Sequence, residues 1–324
     1  MIKEQRFQNS DTYIAKSLKE AISLSEKLRS QDKTTPYTII IEGNGKKEEA
    51  NLKFRESGFR IILRNHTLVS HRYANMKDED GKDLTTWKTA ALKITGSHNI
   101  FHGLHVENDS GEPETKGQEV ALGIYGDDNL FSDCTLIPTQ DTLFVGPLPD
   151  DLSTRYLGFL PEDERYYEGN TRNYFRNCTI KGSIDFIFGA GQAVFDTCNL
   201  VSVNDSRNTT YVVASANSLK DDFGFLFYQC RFMKDEDVKP DSVYLARPWR
   251  DYAKAVFIQC TYQDHIRKEG FADWSDVSRI KTARFLEYPL GKYRVGWTKN
   301  KPGSEPDRKY IDAIEELRKS INTK

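Results

Sequence analysis

The chain has 324 residues, with 46 Lys and Arg against 48 Asp and Glu and a net charge of −2. So even a balance supplies no broad basic field, which argues against a nucleic-acid partner. The opening stretch MIKEQRFQNSDTYIAK contains no apolar run, so neither a signal peptide nor a membrane span is expected, and a cytoplasmic location is.

Residues 1–38 read as an N-terminal helical cap region. Asp11 can cap a helix whose Ile14, Leu18, Ile22 and Leu28 fall on one side. Gly43-Asn44-Gly45 lacks the remaining glycine of a dinucleotide loop. The six histidines, His66, His71, His98, His102, His105 and His265, show no HExxH or comparable ligand spacing. No metal site is therefore expected, and His102 and His105 are read as surface residues.

From residue 100 onward one pattern, apolar–Phe–x–x–Cys–x–apolar, recurs six times. The copies are Ile100-Phe101…Leu104…Val106, Leu130-Phe131…Cys134…Leu136, Tyr174-Phe175…Cys178…Ile180, Val194-Phe195…Cys198…Leu200, Leu226-Phe227…Cys230…Phe232 and Val256-Phe257…Cys260…Tyr262. A repeat of this length signals a solenoid, because one unit cannot bury its apolar face alone. The runs are short, rich in Phe, Val, Ile and Tyr, and bounded by Gly, Asn and Asp, so the repeating unit is a strand. The expected fold is all-β: a parallel β-helix growing as a single domain over 1–324, with like residues laddered inside. All five cysteines occupy one repeat position, which Leu104 fills in the first copy. They are read as free thiols that pack as small hydrophobes, without disulfides or zinc.

The repeat singles out two aspartates. Asp141 follows Cys134 by seven residues, and Asp185 follows Cys178 by seven. Equal offsets in consecutive rungs bring the two carboxylates to neighbouring strands, roughly 4.8 Å apart along the stack. Like charges that close separate into an acid and a base or nucleophile. Asp205 has the same offset from Cys198, but lies in the polar, turn-like Asn204-Asp205-Ser206-Arg207-Asn208 and is assigned to a loop.

Directly after Asp141, residues 146–170 form a long excursion with three prolines, a length that suits the wall of a cleft. Asp185 sits among large apolar residues in Gly182–Gly189 and needs a partner. Arg247, ahead of Pro248-Trp249, can hold it with two hydrogen bonds and lower its pKa. Gln140 can donate to a developing oxyanion, and Gln118 can join it. Trp249, Phe188 and Phe144 offer flat apolar faces for sugar rings, and Thr86 is a further sugar contact. Near the C-terminus Tyr310, Ile314, Leu317 and Ile321 form a helical stripe over 305–324, expected to cap the stack. No Gly-x-Ser-x-Gly occurs.

Several segments resemble the pectinesterase family: GQEVAL around Gln118, QDTL at 140–143, GSIDFIFGAGQAVFDTC at 182–198, YLARPW at 244–249 and DHIRKEGFADW at 264–274. They keep the family's order and extend from about Ile39 to Trp297. The resemblance implies a right-handed parallel β-helix with short N- and C-terminal helices, and a methyl-esterified pectin or oligogalacturonide as substrate. It also implies Asp185 as nucleophile, Asp141 as general acid then base, Gln118 and Gln140 as the oxyanion hole, Arg247 orienting Asp185, and Trp249 on substrate. No cofactor is implied. Ala246 stands where the family carries Gly, Lys47 where it carries an aromatic, and Phe271 where it carries Trp. The 146–170 excursion resembles bacterial rather than plant members. A β-helix lyase or glycosidase, or a non-catalytic sugar-binding homologue, is the alternative.

Overall fold

The computed structural model describes residues 4–108, 110, 116–137, 140–148, 152, 160–165, 171–207 and 209–321. Among them the strands form three sheets of ten, seven and eight strands, and successive turns of the chain add one strand to each. One turn runs through Leu130–Ser132, Thr135–Ile137 and Leu143–Val145. The next runs through Arg172–Arg176, Thr179–Gly182 and Ile184–Gly189. Corresponding strands pair in parallel, so the fold is a parallel β-helix.

The register of the ten-stranded sheet is the register of the repeat. Phe101, Phe131, Phe175, Phe195, Phe227 and Phe257 stand one above another inside. Their ring centroids are 5.4, 4.8, 4.8, 4.7 and 5.0 Å apart, with planes tilted by no more than 13°. Each such pair contributes about 0.5–1.5 kcal/mol beyond its buried area. The ladder stops at Glu287, the register partner of Phe257, which is buried in a two-pronged pair with Arg294 at 2.7 and 2.8 Å.

Each rung turns its corner on one residue. Asp133, Asn177, Thr197, Gln229 and Gln259 have φ between 51° and 54°, and Gly103 does the same work in the first copy. The cysteine that follows points inward. Cys134, Cys178, Cys198 and Cys230 are buried, Cys260 is half-buried, and all five are free.

The N-terminal region departs from expectation. Asp11 caps no helix; it opens an edge strand, Asp11–Ala15, paired with Tyr37–Glu42. Ile14 is 60% exposed there. Pairing to a sheet edge prevails over the local helical pattern. The helix α1 (Leu18–Gln31) starts after Ser17, whose hydroxyl accepts the Glu20 N–H, and buries Leu18, Ala21 and Leu28 against the first turn of the stack.

A short helix α2 (Glu162–Arg165) belongs to the excursion, and α3 (Arg308–Ile321) ends the described chain. The latter does not cap an end of the stack. It lies along the outer face of the ten-stranded sheet, burying Tyr310, Ile314 and Leu317 against Ile100, Leu130, Tyr174, Val194, Leu226 and Val256. Arg318 fixes it there with two bonds to Asp196 at 2.9 and 2.7 Å. Phe271, Phe285 and Trp297 close the C-terminal end instead.

Much of the 146–170 excursion lies outside the described residues. Within them, Leu148, Leu152 and Leu160 pack with Trp87, Phe144 and Phe188. Glu164 on α2 is buried between Lys53 and Lys93, at 2.5 and 2.7 Å. These described residues are thus pinned to the seven-stranded sheet.

Candidate active site

The residues that carry chemistry gather on the outer face of the seven-stranded sheet. Gly123, Phe144, Phe188, Ala214 and Arg247 are register neighbours along it. Side chains of this row point away from the core, where Ile187, Val213 and Ala246 point in. Ala246 is fully buried, so its methyl group lies in the core and not at the cleft.

Asp141 and Asp185 stand at the entry to consecutive strands of this sheet. Gln140 bridges to Ile184, and the Asp141 N–H donates to the Ile184 carbonyl at 3.1 Å. Both aspartates have left-handed backbones, with φ of 59° and 50°. Asp tolerates that region better than most residues, and such strain clusters where a side chain is aimed for a task. At Asp185 the strand carries an extra residue between Ile184 and Ile187, a bulge that turns the carboxylate toward the cleft. The corner before it requires glycine: a Cβ at Gly182 would meet Phe186 Cβ at 2.2 Å.

Arg247 reaches over the small Ala214 to Asp185. Its Nε donates to Oδ1 at 2.9 Å and its Nη2 to Oδ2 at 2.6 Å. The guanidinium is clasped between two rings, 3.8 Å from the centre of Tyr211 and 4.1 Å from that of Trp274. On the other side, the Gln140 side chain bonds Asp141, and its Oε1 accepts from Arg207 Nη2 at 2.9 Å.

Burial pushes the Asp141 carboxyl well above its ordinary pKa, and the charge of Asp185 pushes it further. Burial also raises Asp185, and there the Arg247 charge and hydrogen bonds oppose it. The expected net lowering of Asp185 does not occur, because desolvation exceeds the arginine's pull. The two acids still separate: Asp141 holds the proton and Asp185 is the more readily ionised.

Thr86, Trp87, Gln118, Gln140, Asp141, Asp185, Phe188, Ala214, Arg247, Trp249 and Trp274 line one cleft of about 290 Å³. Eight of the nine residues singled out in the sequence therefore converge. Phe144 does not: it is 1% exposed and packed beneath the floor against Trp87, Tyr125 and Phe188, where no sugar ring can reach it. A larger cavity of about 480 Å³ beside α3, bounded by Tyr228, Tyr288 and Ile311, has no facing pair of acids. Among the described residues no group of three or more His, Cys, Asp or Glu is arranged to hold a metal.

The family model for pectinesterases matches residues 9–148 and 159–302. This chain belongs to the pectinesterase family. Among curated relatives, a probable pectinesterase/pectinesterase inhibitor of Arabidopsis thaliana is 28% identical over 281 residues, which are 84% of this chain and 37% of the relative. A pectinesterase of Petunia integrifolia is 26% identical over 280 residues, covering 84% of this chain and 66% of the relative. The chain thus spans little more than a third of the first relative's length. Among solved structures, the carrot pectin methylesterase superposes with a TM-score of 0.73 at 20% identity, over 96% of this chain and 95% of that one. The Erwinia chrysanthemi enzyme gives 0.70 at 20% identity, over 98% of each. These likenesses establish the shared β-helix.

Four site residues escaped the sequence reading: Trp87, Arg207, Tyr211 and Trp274. Trp274 lies in the family-like segment at 264–274, which was the one signal available for it. Tyr211 and Arg207 lie in the connection and strand after the Cys198 rung, and no spacing links them to Asp141 or Arg247.

Proposed function

We propose that this cleft hydrolyses the C6 methyl esters of galacturonate units in pectin or oligogalacturonides and releases methanol. The observation that carries the reading is the pair of buried acids on consecutive strands in one cleft, with Asp185 forked by Arg247. Asp185 Oδ attacks the ester carbonyl, and the Gln118 and Gln140 amides donate to the oxyanion that forms. As the C–O bond to the methoxy group breaks, Asp141 gives that oxygen its proton and methanol departs, leaving an anhydride on Asp185. Asp141, now a carboxylate, takes a proton from water. The hydroxide attacks the galacturonoyl carbonyl, the anhydride C–O bond to Asp185 breaks, Asp185 is regenerated as a carboxylate, and the galacturonic acid formed gives its proton to solvent. Trp249, Phe188 and Thr86 contact the sugar, together with Trp87 and Trp274, which the cleft adds to them.

The same reading makes the protein a bacterial-type, cytoplasmic enzyme acting on short imported oligogalacturonides rather than on wall pectin. Five unpaired thiols in or against the core support the reducing compartment. Incubation with methylated oligogalacturonides should yield methanol and new carboxylates at constant chain length, unchanged by EDTA. Shortened chains, an unsaturated product or a calcium requirement would move the assignment to a glycosidase or lyase.

A further inference from the structure

Asp205 and Arg207 lie outside the repeat, in the connection between the strands Asn199–Ser202 and Thr210–Ser215. The Asp205 side chain is fully buried. It accepts from the Arg207 backbone N–H at 3.0 Å, from Nε at 2.7 Å and from Nη2 at 2.6 Å, and it bonds Ser183. A buried carboxylate is costly without a partner, and this one is spent wholly on one arginine and its neighbourhood. The same Nη2 reaches out of the pair and donates to Gln140 Oε1 at 2.9 Å.

A glutamine amide has an accepting end and a donating end of nearly the same shape, and rotation by half a turn exchanges them. Only the donating end stabilises an oxyanion; the other repels it. Arginine has no acceptor, so only the Gln140 oxygen can bind to it, and the NH2 group is left for the acid pair and its substrate. We propose that Asp205 and Arg207 form a positioning pair that locks the Gln140 amide with its NH2 group toward the reacting carbonyl. The proposal rests on the esterase reading above.

The pair also sets charge at the site. Asp141 faces Asp185, Gln140, Arg247 and Arg207; Asp185 faces Arg247 and Arg207; and Asp205 faces Arg207 and Ser183. The Arg207 cation favours ionisation of both catalytic acids. Its removal moves both limbs of the pH–rate profile to higher pH. Neutralising Asp205 leaves that cation unbalanced and moves them to lower pH.

The test compares wild type, Arg207→Met, Arg207→Lys, Asp205→Asn, Gln140→Ala and the double variant Gln140→Ala/Arg207→Met. For each, kcat, KM, the pH profile and the thermal midpoint are measured with methylated oligogalacturonide. Arg207→Met should lose about 10- to 100-fold in kcat at its own pH optimum, with KM little changed, in the range of one misdirected oxyanion donor. Arg207→Lys should keep the position of the profile yet lose kcat, because an ammonium cannot hold both Asp205 and Gln140 in one plane. In the double variant, compared at each protein's own pH optimum, the Arg207 change should cost nothing in kcat beyond Gln140→Ala, since its positioning acts through that amide.

Additive losses in kcat or an effect on KM alone would overturn the proposal. So would activity losses that follow the thermal midpoint. An inactive wild type overturns the esterase reading and this proposal with it; an active wild type with unchanged kcat in Arg207→Met overturns this proposal alone.

Discussion

At the scale of single residues, the site depends on how tightly one guanidinium is held. Arg247 meets Asp185 with two hydrogen bonds while Tyr211 and Trp274 cover its two faces. Lysine can supply the charge but neither the fork nor the flat stack. Arg247→Lys should therefore keep its thermal midpoint within a few degrees of wild type and lose roughly 10²-fold in kcat, the scale of a small misplacement of a reacting group. Full activity in a stable variant would refute the orienting role. Asp185→Asn should abolish turnover in folded protein, and Asp141→Asn should cost about 10²- to 10⁴-fold, because it removes proton transfer alone. Methanol release by either variant at wild-type rate would remove that residue from the mechanism. The acid pair was legible because equal offset in a repeat is a statement about space. The direction of the Asp185 shift was not, since it depends on how much water the folded walls exclude. Nor was the burial of Phe144, which required knowing that Trp87, from ahead of the first rung, covers it.

At the scale of elements, the two apolar positions in a row of the repeat hold more information than the ladder uses. Adjacent strand residues point to opposite faces, so apolar–Phe in every copy means a sheet buried on both sides. Phe faces the core; Ile100, Leu130, Tyr174, Val194, Leu226 and Val256 face outward and are covered by α3. The stripe on α3 was legible, but its seat was not, because a stripe does not name the surface it buries. Leu317 is fully buried in that contact. Leu317→Ala should cost about 2–5 kcal/mol, read from the urea midpoint. Methanol release at low temperature should be unchanged, because α3 packs on the ten-stranded sheet and the cleft lies on the seven-stranded one. A shift under about 0.5 kcal/mol, the scale of a neutral surface change, would contradict the burial of Leu317 against that sheet.

At the scale of the whole molecule, the stack is a line of rungs, each in contact with its neighbours, so its ends decide how it opens. The repeat revealed the rungs from Phe101 onward and missed the earlier ones, because Ile39 and Ile61 take the ladder position there without a Phe–x–x–Cys frame. At the far end only the ten-stranded sheet continues, through Arg284–Tyr288, and the chain from about 264 to 302 closes the remaining opening. His265 belongs to that closure. It is fully buried. Burial, helped by the charge of Lys234, lowers its pKa from 6.5 to about 4. The folded protein thus keeps the ring neutral where the unfolded chain protonates it. Its contribution to stability is fully present above about pH 6.5, falls as pH drops toward about 4, and is constant below that. The shift corresponds to about 3 kcal/mol across this window. Carboxylates titrate in the lower part of the same range, so the difference between proteins isolates the histidine. Wild type should lose stability between pH 7 and pH 4 more steeply than His265→Gln, whose neutral amide takes up no proton. Urea unfolding at half-unit steps measures both curves. If they stay parallel through the window, His265 is not the group that makes this end of the stack sensitive to acid.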